Sequence, residues 1–250
     1  MRSSIYIEGQ NGEKALIDAG PEFRLQAVRA GITRLDAIFL THAHADHIHG
    51  LDDVRPLCRD KPLTVYGNEQ TISEVKERFS YIWAETQMGG GKPRLTLIVV
   101  NPSVPINIGS LSFTPVPVKH GILDILGWEV EEKSSPDKKR LLYLTDTSAI
   151  PPETRRQLSA GTSRIIIIGG LRQRPHETHF CFEQALNTAL DIGAKEVYLT
   201  HICHDHSHNE IEEFCRNFTH TPGQQEKPGS VSEIDKIEIH PAQDGLEIIL

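Results

Sequence analysis

Thr41-His42-Ala43-His44-Ala45-Asp46-His47 sets three imidazoles and a carboxylate directly behind an apolar run, Ala37-Ile38-Phe39-Leu40, that reads as a buried strand. Neutral imidazole and an aspartate oxygen are donors that Zn²⁺, Mn²⁺ and Fe²⁺ all accept, so the segment reads as a metal-binding loop. In an extended stretch His42 and His44 point the same way, whereas the consecutive Asp46 and His47 diverge. One pair then suits one ion and the other pair a second. A plain histidine-rich surface loop would seldom bring an acidic residue into register with its histidines.

Two ions need more ligands, and the ends of other apolar runs supply candidates. His120 closes the alternating stretch that begins Leu111-Ser-Phe-Thr; Asp146 follows Arg140-Leu-Leu-Tyr-Leu144; His201 follows Glu196-Val-Tyr-Leu-Thr200. A single histidine after a strand is ordinarily structural. Its recurrence at successive strand ends is the signal.

In this order, strand-HxHxDH, strand-His, strand-Asp and strand-His resemble the metallo-β-lactamase fold superfamily over nearly the whole chain. The resemblance implies an α+β protein built as an αββα sandwich, with His42, His44 and His120 on one metal, Asp46, His47 and His201 on the other, and Asp146 bridging. His47 after Asp46 points away from the best-known antibiotic-degrading members. Asp18, in Leu16-Ile17-Asp18-Ala19-Gly20, matches an Asp-x-Gly turn that buttresses the ligand loop in relatives, although an ordinary turn aspartate reads equally well. Gly50-Leu-Asp-Asp-Val-Arg55, Gly89-Gly-Gly-Lys-Pro-Arg94, Leu144-Thr-Asp-Thr-Ser148 and Leu199-Thr-His-Ile202 are similar to the branch of phosphoribosyl 1,2-cyclic phosphate phosphodiesterases, with ribonuclease Z more distant. Relatives usually carry a first strand, a glycine loop and a zinc-binding cysteine cluster ahead of an Arg-Ser-Ser element; the given sequence opens at that element, Arg2-Ser3-Ser4.

The activity this implies is a dinuclear metal-dependent phosphodiesterase acting on a small cyclic or nucleotide-like phosphate ester through a hydroxide shared by two ions, zinc or manganese with iron also accommodated. A poor alkoxide leaving group calls for a general acid. The ribonuclease Z resemblance assigns that part to His179, with His204 and His176 in reserve; each could equally hold a ligand carboxylate. Arg172 and Arg174 are either phosphate clamps or solvated surface charges. Gly89-Gly90-Gly91 with Lys92 is either a phosphate-covering lid or a linker, and Trp83 and Tyr81 either stack a base or sugar or pack locally. Hydrolysis of a thioester or lactone on the same site, or a nucleotide-binding module with little catalysis, are the alternatives.

Composition fits one metallo-hydrolase domain over residues 1–250: 38% hydrophobic, 24% charged. The formal net charge of -8 argues against a duplex nucleic-acid partner and is compatible with a small phosphorylated substrate. No apolar stretch approaches the roughly 18 residues of a membrane span and no leader is evident, so a cytoplasmic home is expected; a homodimer is left open. Cys58, Cys181, Cys203 and Cys215 lack Cys-x-x-Cys spacing and are expected as free thiols. The pattern predicts strands at Ile5-Ile7, Ala15-Asp18, Ala37-Leu40, Leu63-Tyr66, Ile165-Ile168 and Glu196-Leu199. Helices are expected at Pro21-Ala30, Glu69-Phe79, after Pro151-Pro152 and near Phe182-Ile192, with a surface loop over Thr221-Ser232 and a closing strand at Asp244-Ile248.

Overall fold

The computed structural model describes residues 1–85, 91–136, 139–159, 164–219 and 237–250. These form two compact units, residues 1–115 with 132–134, and residues 116–131 with 135–250.

The first unit is built on a sheet of β1 (Ile5–Glu8), β2 (Lys14–Ile17), β3 (Ala37–Phe39), β4 (Leu63–Gly67) and β5 (Leu95–Val99), in that order. β1 and β2 form an antiparallel hairpin with Ile5 opposite Ile17, and the other pairings are parallel. Parallel pairing requires crossovers, and the chain supplies them with α1 (Phe23–Arg29), α2 (Ala45–Ile48) and α3 (Glu69–Arg78). Asn68 caps α3 by accepting the Thr71 N–H at 2.8 Å. All three residues of β3 are fully buried, as expected of a strand covered on both faces. The Phe39 ring stacks on Tyr66 at 5.0 Å and on Phe113 at 3.9 Å between centroids. Leu16, Ile38, Leu40, Ile48, Val65 and Val75 fill the core beside it. β6 (Ile106–Ile108) pairs antiparallel with the start of β7 (Leu111–His120).

The second unit carries the end of β7, then β8 (Leu123–Glu132), β9 (Arg140–Leu144), β10 (Arg164–Gly169), β11 (Ala194–Thr200) and β12 (Glu238–Pro241), in the sheet order β12-β11-β10-β9-β8-β7. Pairings from β9 to β12 are parallel and β8 runs antiparallel to β9. The run Arg-Ile-Ile-Ile-Ile-Gly of β10 is buried throughout, the pattern of a central parallel strand. α4 (Pro152–Ser159) and α5 (Phe182–Asp191) are the crossovers, and α6 (His208–Asn217) leads toward β12. Leu142, Leu144, Ile166, Ile168, Phe182, Leu186 and Leu199 form this unit's core. The two sheets are mixed, each with its own helices.

The predicted elements are present with boundaries shifted by at most two residues, apart from the closing strand. That strand is Glu238–Pro241, parallel to β11 with Ile239 opposite Val197. Asp244-Gly245 is instead a turn, with Gly245 at φ +85° and the Leu246 N–H bonded to Gln243. Ile239 has the unit's core to pack on, whereas Ile249 is 87% exposed. α6 was not expected; its signal is the capping box of Ser207 and Glu210, in which the Ser207 N–H donates to Glu210 at 2.7 Å. Gly89, Gly90 and Thr221–Ser232 lie outside the described residues. Among the described residues no helix is long and apolar enough to cross a membrane.

Replacing Phe39 by Ala deletes a fully buried ring between two aromatic neighbours, which costs about 3–5 kcal/mol. A denaturant-melt midpoint read at constant slope checks this; a loss below about 1 kcal/mol would contradict the packing described.

Candidate metal centre

In the first unit the donors stand where β3 ends and α2 begins. His44, extended at φ -65° and ψ 153°, precedes α2, and its ring lies 4.5 Å from that of His42. From Ala45 the chain coils. The consecutive Asp46 and His47 therefore do not diverge as an extended strand would make them: Asp46 Oδ2 and His47 Nε2 are 3.5 Å apart. Two donors on bonds of 2.0–2.2 Å in a tetrahedron are separated by about 3.4 Å, so this pair fits one ion.

Asp18 organises the whole loop. Its side chain is fully buried at the end of β2, with backbone at φ +61°. The carboxylate accepts the Thr41 N–H at 2.8 Å, the Thr41 hydroxyl at 2.8 Å and the His47 Nδ1–H at 2.8 Å. Burial lifts the Asp18 carboxyl above the usual carboxylate range, while His47 and the Thr41 donors pull against it. Because the Thr41 hydrogen goes to Asp18, the hydroxyl oxygen accepts His42 Nδ1–H at 3.0 Å. One carboxylate thereby sets the tautomer of two imidazoles, directing the lone pair to Nε2 on each, the protonation state a metal ligand requires.

The turn behind Asp18 is packed against α2 with no room for side chains. Ala19 donates its N–H to the His47 carbonyl at 2.8 Å and accepts that of Gly50 at 2.8 Å. A Cβ on Gly20 would press on the Asp46 carbonyl, and one on Gly50 on the Gly20 carbonyl and Phe23. The Asp-x-Gly turn is thus the seat of the ligand helix. From the far side Arg78 of α3 donates to the Ala43 carbonyl at 2.6 Å, between His42 and His44.

The second unit repeats the design at three strand ends. His120 closes β7 and donates Nδ1–H to the Thr178 carbonyl at 2.7 Å, again leaving the lone pair on Nε2. Asp146 follows β9 and His201 follows β11, both in the left-handed region at φ +52° and +54°. A non-glycine residue held there costs of order 1–3 kcal/mol, strain that concentrates at functional sites. His201 Nε2 is 3.2 Å from Asp146 Oδ1, and the Thr145 hydroxyl donates to Asp146 Oδ2 at 2.7 Å. His120, Asp146 and His179 bring donor atoms within 4.8 Å of one another. Chemistry and spacing of both donor sets fit divalent ions.

His179 Nδ1 is 3.6 Å from Asp146 Oδ1, and its ring stacks on His201 at 5.1 Å. Burial pushes the His179 imidazole down to about 4, Asp146 opposing and His201, His120 and His176 reinforcing the fall. His176 is exposed and its Nδ1 accepts the Thr178 N–H at 3.3 Å. His204 is exposed in a turn. Arg174 pairs with Asp205 at 3.0 Å, while Arg172 Nε is buried and has no hydrogen-bond partner among the described residues. Lys92 donates to the Tyr81 carbonyl at 3.0 Å and to that of Ala84.

Thr41 and Thr145 were not singled out from the sequence, yet a signal exists. Leu40-Thr41-His42, Leu144-Thr145-Asp146 and Leu199-Thr200-His201 repeat one word, Leu-Thr-ligand, at three strand ends. In each the leucine is fully buried and locks the strand end into a core. At the first two the threonine hydroxyl holds a carboxylate of the site.

Two mixed sheets, outer helices and strand-end His and Asp donors define a metallo-hydrolase class of domain. The chain belongs to the beta-lactamase superfamily, whose domain model matches residues 14–202. The crystal structure of a new diphosphatase from the PhnP family is similar at a TM-score of 0.78 and 33% identity, covering 100% of this chain and 84% of that one. An octanoyltransferase of Porphyromonas gingivalis (strain ATCC BAA-308 / W83) is 35% identical over 250 residues, 100% of this chain and 45% of the relative. A ribonuclease Z of Bradyrhizobium sp. (strain ORS 278) is 29% identical over 137 residues, 52% of this chain and 44% of the relative. The chain thus spans under half the length of these curated relatives.

Asp18→Asn keeps the shape but forces a competing amide N–H toward Thr41 or His47, and metal affinity should fall about 10–100-fold. Competition against a chromophoric chelator measures it; unchanged affinity would remove Asp18 from the account.

Proposed function

We propose that the chain is a metal-dependent phosphodiesterase for a small cyclic or nucleotide-like phosphate ester, its two units acting as one hydrolase domain. His42, His44 and His120 would hold one divalent ion, Asp46, His47 and His201 a second, with Asp146 shared. The observation that carries the reading is the fixed tautomer of His42, His47 and His120, each with Nδ1–H given to an oxygen acceptor so that Nε2 bears the lone pair. Imidazole with carboxylate suits zinc and manganese, and iron(II) as well. The likeness to a PhnP-family diphosphatase supports a phosphate-containing substrate, and a net charge of -8 supports a small one over a duplex.

When bound, a pair of divalent ions supplies Lewis-acid polarisation of the phosphoryl oxygens and a water ionised near neutral pH. The chain's own groups do the rest. Asp18 and Thr41 hold the imidazoles in orientation, and Thr145 holds Asp146. Arg172, whose Nε has no hydrogen-bond partner among the described residues, is our assignment for a non-bridging phosphate oxygen in preference to Arg174, which is paired with Asp205. For the proton the departing alkoxide needs, our reading assigns His179, beside Asp146; pushed down to about 4, its imidazole rests neutral and must first take that proton up, for instance from the attacking water.

Acyl-ester chemistry, a thioester or lactone, is the second reading, favoured by the octanoyltransferase relative. More than half of that protein has no counterpart in this chain, which ranks the acyl reading below the phosphate one.

Chelation should abolish turnover of 2′,3′-cyclic nucleotides and of ribose 1,2-cyclic phosphate, and zinc or manganese should restore it, with S-lactoylglutathione turned over far more slowly. The reverse preference would install the acyl reading. His179→Ala should lower kcat about 10²–10⁴-fold on esters with alkoxide leaving groups and much less on p-nitrophenyl esters, whose leaving group needs no proton. An equal loss on both would assign His179 to holding Asp146 instead.

A further inference from the structure

The segment after α3 divides its side chains in a way that folding does not explain. Phe79 and Ile82 point into the first unit's core at 8% and 7% exposure, while Tyr81 and Trp83, on the same turn, stand 38% and 39% exposed. The turn that carries the exposed pair is nevertheless fixed. The Tyr81 hydroxyl donates to Asp52, the Lys92 ammonium grips the carbonyls of Tyr81 and Ala84, and Arg55 donates to the Gly91 carbonyl at 3.2 Å. An ammonium is committed to the backbone of the turn and a carboxylate to the Tyr81 hydroxyl, while the two rings face water. Immobilising such surface costs entropy and returns nothing to the core, whereas it lowers the cost of binding a ring.

The location matters as much as the exposure. Asp52 lies on the loop that leaves α2, four residues beyond Ile48, and the His49 ring meets Phe79 edge-on at 6.3 Å. Residues three apart share a helix face, so Phe79 flanks the side of α2 that carries Asp46. The aromatic turn is therefore attached to the residues that leave the ligand helix. Two side chains match a single planar ring; a protein interface needs about 1,000 Å².

We propose that Trp83 and Tyr81 form a ring-stacking subsite, held in place by Lys92 and Asp52, for the base of a nucleotide-like ester cleaved at the metal centre. This rests on the phosphodiesterase reading and narrows its substrate to one carrying a planar base. Lys92 is then a positioning residue for the platform and not a phosphate ligand.

Trp83 and Trp128 are the chain's two tryptophans, and Trp128 is fully buried, so exposed-tryptophan emission reports on Trp83. Adenosine monophosphate titrated into the full-length protein should quench that emission saturably, and ribose 5-phosphate, which lacks the base, should not. Calorimetry should show Trp83→Ala weakening adenosine monophosphate about tenfold or more, Trp83→Phe staying within about threefold of the parent, and Lys92→Met falling between. In turnover, Trp83→Ala should raise KM for a 2′,3′-cyclic nucleotide at nearly constant kcat and leave ribose 1,2-cyclic phosphate unaffected. Binding unchanged in Trp83→Ala, or equal losses on both esters, would overturn the subsite. Base-dependent quenching in a protein that hydrolyses no phosphodiester would uphold the subsite while defeating the reading of the reaction.

Discussion

The interaction on which the rest depends is the buried carboxylate of Asp18. It accepts three hydrogen bonds, from the Thr41 amide, the Thr41 hydroxyl and His47, and through Thr41 it also decides the tautomer of His42. A buried carboxylate is costly unless it is fully hydrogen-bonded, and here the cost is offset by donors that all belong to the metal loop. The same group that closes β2 therefore specifies which nitrogen each imidazole presents. Gly20 and Gly50 follow from it, because the turn beyond Asp18 must lie directly against the backbone of α2.

A second constraint is geometric. A parallel strand must release its chain at its end, and His42, Asp146 and His201 stand just beyond such ends. Leu-Thr-ligand recurs three times because a buried leucine at or beside the strand end anchors it in a core, and the ligand two residues on stands clear of the strand. At Asp146 and His201 the backbone turns left-handed immediately, which stops the strand and swings the side chain off the sheet. Non-glycine residues accept this strain where their chemistry is indispensable.

Much of this is legible in the chain itself. The apolar runs ending in His42, Asp146 and His201 marked both the strands and their donors, since a strand buried on both faces reads as an uninterrupted apolar run. Asp18 was legible as a turn aspartate but not as the hub, because its partners Thr41 and His47 lie more than twenty residues away. α2 was not legible: four residues are too few for a helical period, and its coiling is what brings the Asp46 and His47 donor atoms within 3.5 Å of each other. The closing strand was misplaced because Leu246 and Ile248 look more strand-like than Glu238-Ile239-His240, and only the presence of β11 beside Ile239 decides between them. Tyr81 and Trp83 could not be sorted from packing residues by composition; their exposure distinguishes them.

The central proposal is that the chain binds its divalent ions as one neighbouring pair. Electron paramagnetic resonance of the manganese-loaded protein tests it most directly. At two manganese ions per chain the account predicts an exchange-coupled spectrum from ions about 3.5–4 Å apart. The six-line signal of isolated manganese, persisting at full loading, would contradict it.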